Sequence, residues 1–327
     1  MTASLRRRDV LAFVGAAAAW PVRTRAQDPQ VLGFLSSGAP EGYVDFLAAF
    51  REGLAAQGYA EGRNVIVETR WAGGGFAELP RLAEDLVRRE VKLIATTGIG
   101  SALAAKTATA TIPIVFLSGD DPVRFGLVAS FNRPGGNATG INLLTSTLVA
   151  KRLDLVHALA PAGRVAFLIN SSSPEAQSQL RDLEAAAQAS MRPLAVVLTA
   201  SNDAEIERAF ADAVTQRAGA LLVSNDPFFS SRRDQLVGLA ARHALPAVYD
   251  RREYTSAGGL ISYGVDYRAA YREMGVYAGR ILRGESPADL PVQQPTRFEL
   301  VINLKSAKAL GLDIPPTLLA RADEVIE

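Results

Sequence analysis

From Val31 to Ser262 the chain alternates short apolar runs with amphipathic Ala/Leu/Arg stretches, and this alternation restricts the fold more than any other feature. Val31–Leu35, Asn64–Arg70, Lys92–Ala95 and Ile112–Leu117 have the length and β-branched content of strands. Tyr43–Gln57, Glu78–Arg89 and Ser101–Thr107 lie between them and read as helices. A second series starts near Arg164, with strands at Val165–Ile169, Pro193–Leu198, Ala220–Val223, Pro246–Tyr249 and Gly259–Ser262. Its helices are Pro174–Ala189, Asp203–Gln216 and Ser231–His243. Strands alternating with helices imply βα units and a parallel sheet covered on both faces. Nearly continuous apolar strands fit that burial.

The two series are related. Val31-Leu-Gly-Phe-Leu-Ser-Ser-Gly-Ala-Pro-Glu41 aligns without gaps to Val165-Ala-Phe-Leu-Ile-Asn-Ser-Ser-Ser-Pro-Glu175. Each reads as a strand, a small polar loop, then Pro-Glu opening a helix. Ile112-Pro113 and Leu245-Pro246 likewise enter the fourth strand of each series. A period of roughly 130 residues is too long for a solenoid, so the expectation is α/β with two doubly wound parallel-sheet lobes facing one another. Open parallel sheets bind ligands beyond the carboxyl ends of their strands, where helix N-termini offer free N–H groups to anions. The loops there are Ser36-Ser37-Gly38, Thr96-Thr97-Gly98, Ser118-Gly119-Asp120-Asp121, Asn170-Ser171-Ser172 and Ser224-Asn225-Asp226-Pro227. Each alone could be plain helix capping; five together point to binding.

The N-terminus adds an independent signal. Arg6-Arg7-Arg8 precedes an apolar run from Val10 to Trp20, and Thr24-Arg25-Ala26 ends in a small residue. This is the order of a secretory leader, residues 1–26, with cleavage expected after Ala26 and a twin-arginine-like Arg7-Arg8-Asp9-Val10-Leu11. The run is shorter than the roughly 20 apolar residues of a membrane span. The expected mature form is a soluble periplasmic protein. The chain of 327 residues has no Cys, which excludes disulfides, thiolate chemistry, Cys-held metals and a lipidated Cys. Its two histidines, His157 and His243, have no second candidate ligand nearby in sequence, so no metal and no cofactor are expected. A net charge of +1 leaves no basic surplus for a nucleic-acid partner.

In these segments the chain resembles the substrate-binding proteins of ABC transporters of the tryptophan/tyrosine-binding (TrpX-like) type. The likeness runs through Arg51-Glu-Gly-Leu54, Gly58-Tyr-Ala-Glu-Gly-Arg-Asn64, Ile112-Pro-Ile-Val-Phe116, Leu127–Asn137, Asp226-Pro-Phe-Phe229 and Ile302–Gly311. The resemblance implies the type I periplasmic-binding fold with a three-segment hinge. Residues 30–145 plus 265–291 would form one lobe and 146–264 plus 292–327 the other. It implies a monomer that captures a small molecule by hinge closure and delivers it to an inner-membrane ABC permease and its ATPase. For an amino-acid guest, Ser37, Thr97, Gly98 or Ser118 would serve the carboxylate, with Ser36, Asn170 and Ser172 also among the ligand-binding candidates. Asp120, Asp121 or Asp226 would serve the ammonium. Phe228, Phe229, Tyr249 or Tyr263 would enclose an apolar side chain.

Two other readings stay open. No G-x-G-x-x-G fingerprint or P-loop occurs, and Ser-rich loops without a neighbouring His give little footing for nucleophilic catalysis; a carboxylate hydrolase is the remaining enzyme class. A periplasmic sensor docking on a membrane receptor would use the same two lobes.

Overall fold

The computed structural model describes residues 28–145, 147–160, 163–191 and 196–327. The leader at 1–26 and the 193–195 start of one expected strand lie outside the described residues.

The first series forms β1 (Gln30–Ser36), α1 (Val44–Ala56), β2 (Val65–Trp71), α2 (Leu79–Arg88), β3 (Leu93–Thr97), α3 (Ile99–Ala108), β4 (Ile114–Ser118) and β5 (Ala138–Asn142). Its strands make one parallel sheet in the order β2-β1-β3-β4-β5. Side chains alternate across the pleat. Leu32 and Phe34 of β1 therefore join α1 on one face, while Leu35 joins α2 and α3 on the other.

The second series runs α4 (Val149–Leu159), β6 (Arg164–Ile169), α5 (Ala176–Ala189), β7 (Val196–Thr199), α6 (Asp203–Thr215), β8 (Ala218–Val223), α7 (Pro227–Ser231), α8 (Arg233–Arg242), β9 (Ala247–Tyr249), α9 (Arg252–Ser256) and β10 (Ile261–Val265). The chain ends with α10 (Tyr267–Leu282), β11 (Phe298–Asn303), α11 (Leu304–Ala309), α12 (Pro316–Leu319) and β12 (Glu324–Ile326). The second sheet has the order β12-β11-β10-β9-β8-β6-β7. It too carries an apolar layer on each face.

Three passes of chain join the sheets. The first follows Asn142. The second follows Val265: α10 leaves the second sheet and packs on the first, burying Tyr267, Tyr271, Met274 and Tyr277 against α1. Two glycines permit that approach, since a Cβ on Gly275 would stand 2.0 Å from the Phe50 carbonyl oxygen and one on Gly53 2.0 Å from that of Arg272. The third pass follows Gln293, which still bridges to Ile141 of β5.

One detail departs from the all-parallel expectation: β11 runs antiparallel to β10. The reason is topological. β10 ends at the inter-lobe edge, and the chain detours through the first lobe and returns at that same edge. β11 must then run away from it, pairing Phe298 with Val265.

Candidate functional site

The carboxyl ends of both sheets face each other. In the first lobe, Ser36 and Thr97 end neighbouring strands in register. Thr97 donates its hydroxyl to Ser36 Oγ at 2.8 Å. Gly98 follows at φ +79, a backbone region natural to glycine, and a Cβ there would meet Pro227 of the other lobe. Ser118 exchanges hydrogen bonds with the main chain of Asp120 at 3.3 Å. Asn142 holds the Asp120 carbonyl at 2.8 Å, which fixes the turn after β4.

In the second lobe, Asp226 caps α7: its Oδ1 accepts from Phe228 N (2.8 Å), Phe229 N (3.3 Å) and Asn170 Nδ2 (3.2 Å). An Asp at this position satisfies orphan N–H groups that Pro227, lacking one, does not need covered. Glu175 starts α5 and is only 2% exposed.

The lobes touch directly. Glu175 Oε1 accepts the Ile99 N–H at the head of α3 at 2.8 Å, while Oε2 accepts from Gln179 at 3.1 Å. Ser178 donates to Asp120 Oδ1 at 3.0 Å, Asn225 to Thr145 at 2.8 Å, and the Ala39 N–H to Ser231 at 2.8 Å. Behind these lies a charged node. Arg251 makes three bonds to Asp250, reaches Asn225 Oδ1 at 3.0 Å and stacks 3.7 Å above the Tyr267 ring. Tyr267 in turn donates to Asp250 at 2.8 Å.

Four polar atoms at this interface are buried with no hydrogen-bond partner among the described residues: Ser37 Oγ, Asp120 Oδ2, Ser224 Oγ and Asp226 Oδ2. Such atoms cost roughly 1–3 kcal/mol each when left unpaired, so a surface built this way is waiting for a guest. A cavity of about 20 Å³ lies among Asp120, Ser224, Thr145, Asn225, Gln179 and Arg152. It has room for a single water-sized group.

Burial dominates the electrostatics. It pushes Asp226 up to about 6 and also raises Asp120. Glu175 rises well above the carboxylate range through burial, with the Asp120 charge adding to it. Asp250 is equally buried, but the adjacent Arg251 outweighs desolvation and holds it low. Tyr43, beneath Ser36 and Thr97, is pushed by burial up to about 12.

Ser36, Ser37, Thr97, Gly98, Ser118, Asp120, Asn170 and Asp226 thus come together across the two lobes. Others do not. Asp121 is exposed and caps its own turn through Val123 N at 2.8 Å. Ser172 is exposed at the rim, in a groove with Gly74 and Phe228. Phe228 is buried, and Gly74 of the other lobe lies against its ring. Tyr249 is stacked on Tyr254 inside the second lobe (centroids 4.4 Å apart). Tyr263 packs beside Phe298 and gives the inter-lobe face only its carbonyl, which Arg152 holds at 3.0 Å. For Tyr249 and Tyr263 the alternation of the strand turns the ring toward a lobe's core, and Phe228 is buried from α7. Sequence reading did not single out Glu175, Thr145, Asn225, Arg251 or Tyr267 as members of the site. Asn225 lay in the named Ser224–Pro227 loop, and Glu175 left a trace in the repeated Pro-Glu.

Two facing α/β lobes with unsatisfied polar strand-end loops define the class of two-lobed binding proteins with the type I periplasmic-binding fold. The chain belongs to the ABC transporter substrate binding protein family, whose profile matches residues 40–326. It is 29% identical over 264 residues to the tyrosine-binding protein of Clostridioides difficile (strain R20291), covering 80% of this chain and 75% of that one. A conserved domain protein from Vibrio cholerae superposes with a TM-score of 0.83 at 26% identity, covering 91% of this chain and all of that one. An ABC domain in complex with L-Trp from Streptococcus pneumonia superposes with a TM-score of 0.79 at 24% identity, with the same coverage. Among the described residues no helix is long and apolar enough to cross a membrane.

Proposed function

We propose that this chain captures an amino acid or a related small molecule in the cleft between its lobes and passes it to an inner-membrane permease with its ATPase. The orphaned atoms Ser37 Oγ, Asp120 Oδ2, Ser224 Oγ and Asp226 Oδ2 carry this reading. They belong to both lobes, so one guest satisfies them only when the lobes meet. The names of two relatives, one for tyrosine and one with bound tryptophan, support an aromatic guest. A cavity of about 20 Å³ is too small for any such molecule, so the guest enters while the lobes are parted and closure follows its binding. The ligand drives closure only through contacts that it makes better in the closed state.

In this proposal residues 1–26 direct export and are removed after Ala26. Residues 30–145 plus 265–291 move as one body, residues 146–264 plus 292–327 as the other, and the mature protein works in the periplasm as a monomer. The test is mass spectrometry of whatever co-purifies with the exported protein, paired with thermal-shift screening of metabolites. One compound that raises the melting temperature without being turned over is the expected result. Turnover of a bound compound, or stabilisation by none, would overturn it.

A further inference from the structure

The acidic groups of the cleft differ from its other charges in one respect. Arg251 is answered by Asp250, Arg124 by Asp182, and Arg152 gives its guanidinium to the carbonyls of Thr145 and Tyr263. Asp120, Glu175 and Asp226 have no salt-bridge partner among the described residues, although each is 1–2% exposed. Asp120 and Asp226 each keep one oxygen with no hydrogen-bond partner among the described residues, as do the buried hydroxyls of Ser37 and Ser224. A buried carboxylate ionises at least cost when a cation pairs with it, and for Asp120 and Asp226 that cation would come from the guest.

The other half of a zwitterion has nowhere comparable to go. In the first lobe the N-terminus of α3 is the natural carboxylate site, a glycine-led turn with a free N–H and no side-chain cap of its own. That N–H is already taken by Glu175, which Gln179 holds from behind. A guest carboxylate would have to displace Glu175 or lie beside the carboxyls of Asp120 and Asp226 in a dry interface, where like charges repel most.

We propose that the preferred guest is a net-cationic amine without a free carboxylate, its ammonium taken by the free oxygens of Asp120 and Asp226, and that Glu175 sets this choice by filling the carboxylate position at the head of α3. The inference rests on the cleft being the solute site. Glu175 acts here as a specificity-determining residue: its carboxylate substitutes for the one an amino acid would bring.

Calorimetry with matched pairs tests this: tryptamine against L-tryptophan, tyramine against L-tyrosine, agmatine against L-arginine, and cadaverine against L-lysine. The best amine binds about tenfold or more tightly than its parent amino acid, a gap of about 1.4 kcal/mol. In Glu175→Ala the preference narrows or inverts, because the Ile99 N–H at the head of α3 is freed. A purely structural role for Glu175 would weaken both members of a pair equally. An amino acid that binds wild type as well as its amine overturns the inference and leaves the solute-binding reading standing. If no member of any pair binds, while another compound stabilises the protein, only the amine assignment falls. If nothing stabilises it, the function reading falls too.

Discussion

Two turns in this molecule are built from nearly the same sequence and do different things. Pro40-Glu41 and Pro174-Glu175 each follow a strand and a run of small polar residues, and each opens a helical segment. Glu41 is exposed and lines a solvent groove near Arg233. Glu175 is buried and spans the lobes to the Ile99 N–H. Local chemistry is alike in both, since Pro suits a first turn and Glu suits its positive end. What stands opposite decides the outcome. The first lobe receives a carboxylate at α3, whereas at its own Pro-Glu turn the Ala39 N–H receives only the Ser231 hydroxyl. At these turns the second lobe contributes the carboxyl and the first the donor, whereas at Asp120 the roles reverse and Ser178 of the second lobe donates.

The sharpest test of that division is Asp226→Ala. Truncating a buried charged partner costs 2–5 kcal/mol in binding; about 3 kcal/mol is expected here, read as a loss of more than about 100-fold by calorimetry. Circular dichroism should show the fold intact.

Next comes the pH dependence of Asp226, whose carboxyl titrates near 6 in the folded protein. Its folded value lies above the unfolded one near 3.9, so the native state holds more protons between about pH 4 and 6. Stability from this group is present below about pH 4 and lost as pH rises through 6. Asp226→Asn keeps the cap and removes the charge. It should match wild type near pH 4 and exceed it above pH 6.5 by about 2 kcal/mol, with about 3 as the ceiling from a two-unit shift. Parallel melting curves across that range would refute this through a constant gap.

The paired glutamates give a smaller effect. Without ligand, Glu175→Ala should cost about 1.5 kcal/mol, the upper end for an uncharged hydrogen bond, and should shift small-angle scattering toward an open form. Glu41→Ala should stay within about 0.5 kcal/mol. Equal effects would erase the distinction between the two turns. Smallest is Thr145→Ala, which removes only the neutral bond from Asn225; about 0.5–1 kcal/mol is expected in chemical unfolding.

The βα alternation and the Ser-Ser/Asn-Ser repeat made the two lobes legible, because hydrophobic period and helix-opening chemistry are local. β5 was passed over, since its five residues follow Pro134-Gly-Gly-Asn137 and include Gly140, which weakens the strand signal. The direction of β11 was illegible for a different reason: it depends on which lobe the preceding helix joins. In the site, strand-end loops such as Ser37, Thr97 and Asp226 were readable from their position after apolar runs. Asp120 and Asp121 show the limit. They are adjacent, yet one is buried at the interface and the other faces water, a difference of one residue of backbone rotation. Tyr267 could not be found because it reaches the site from the second pass between the lobes, and Arg251 because its turn between β9 and α9 carries no small polar run.

Trp71 closes β2 and packs against Phe34 and Tyr43, with ring centroids 5.5 and 5.2 Å away. The sequence holds two tryptophans, and the other, Trp20, falls within the proposed leader. A processed chain would then emit from one indole alone. That indole touches Tyr43, whose hydroxyl stands 3.5 Å from the Pro227 carbonyl of the opposite lobe. Parting the lobes changes the polarity around this one fluorophore, so the native protein carries its own optical gauge of opening, readable in a stopped-flow cuvette without any label.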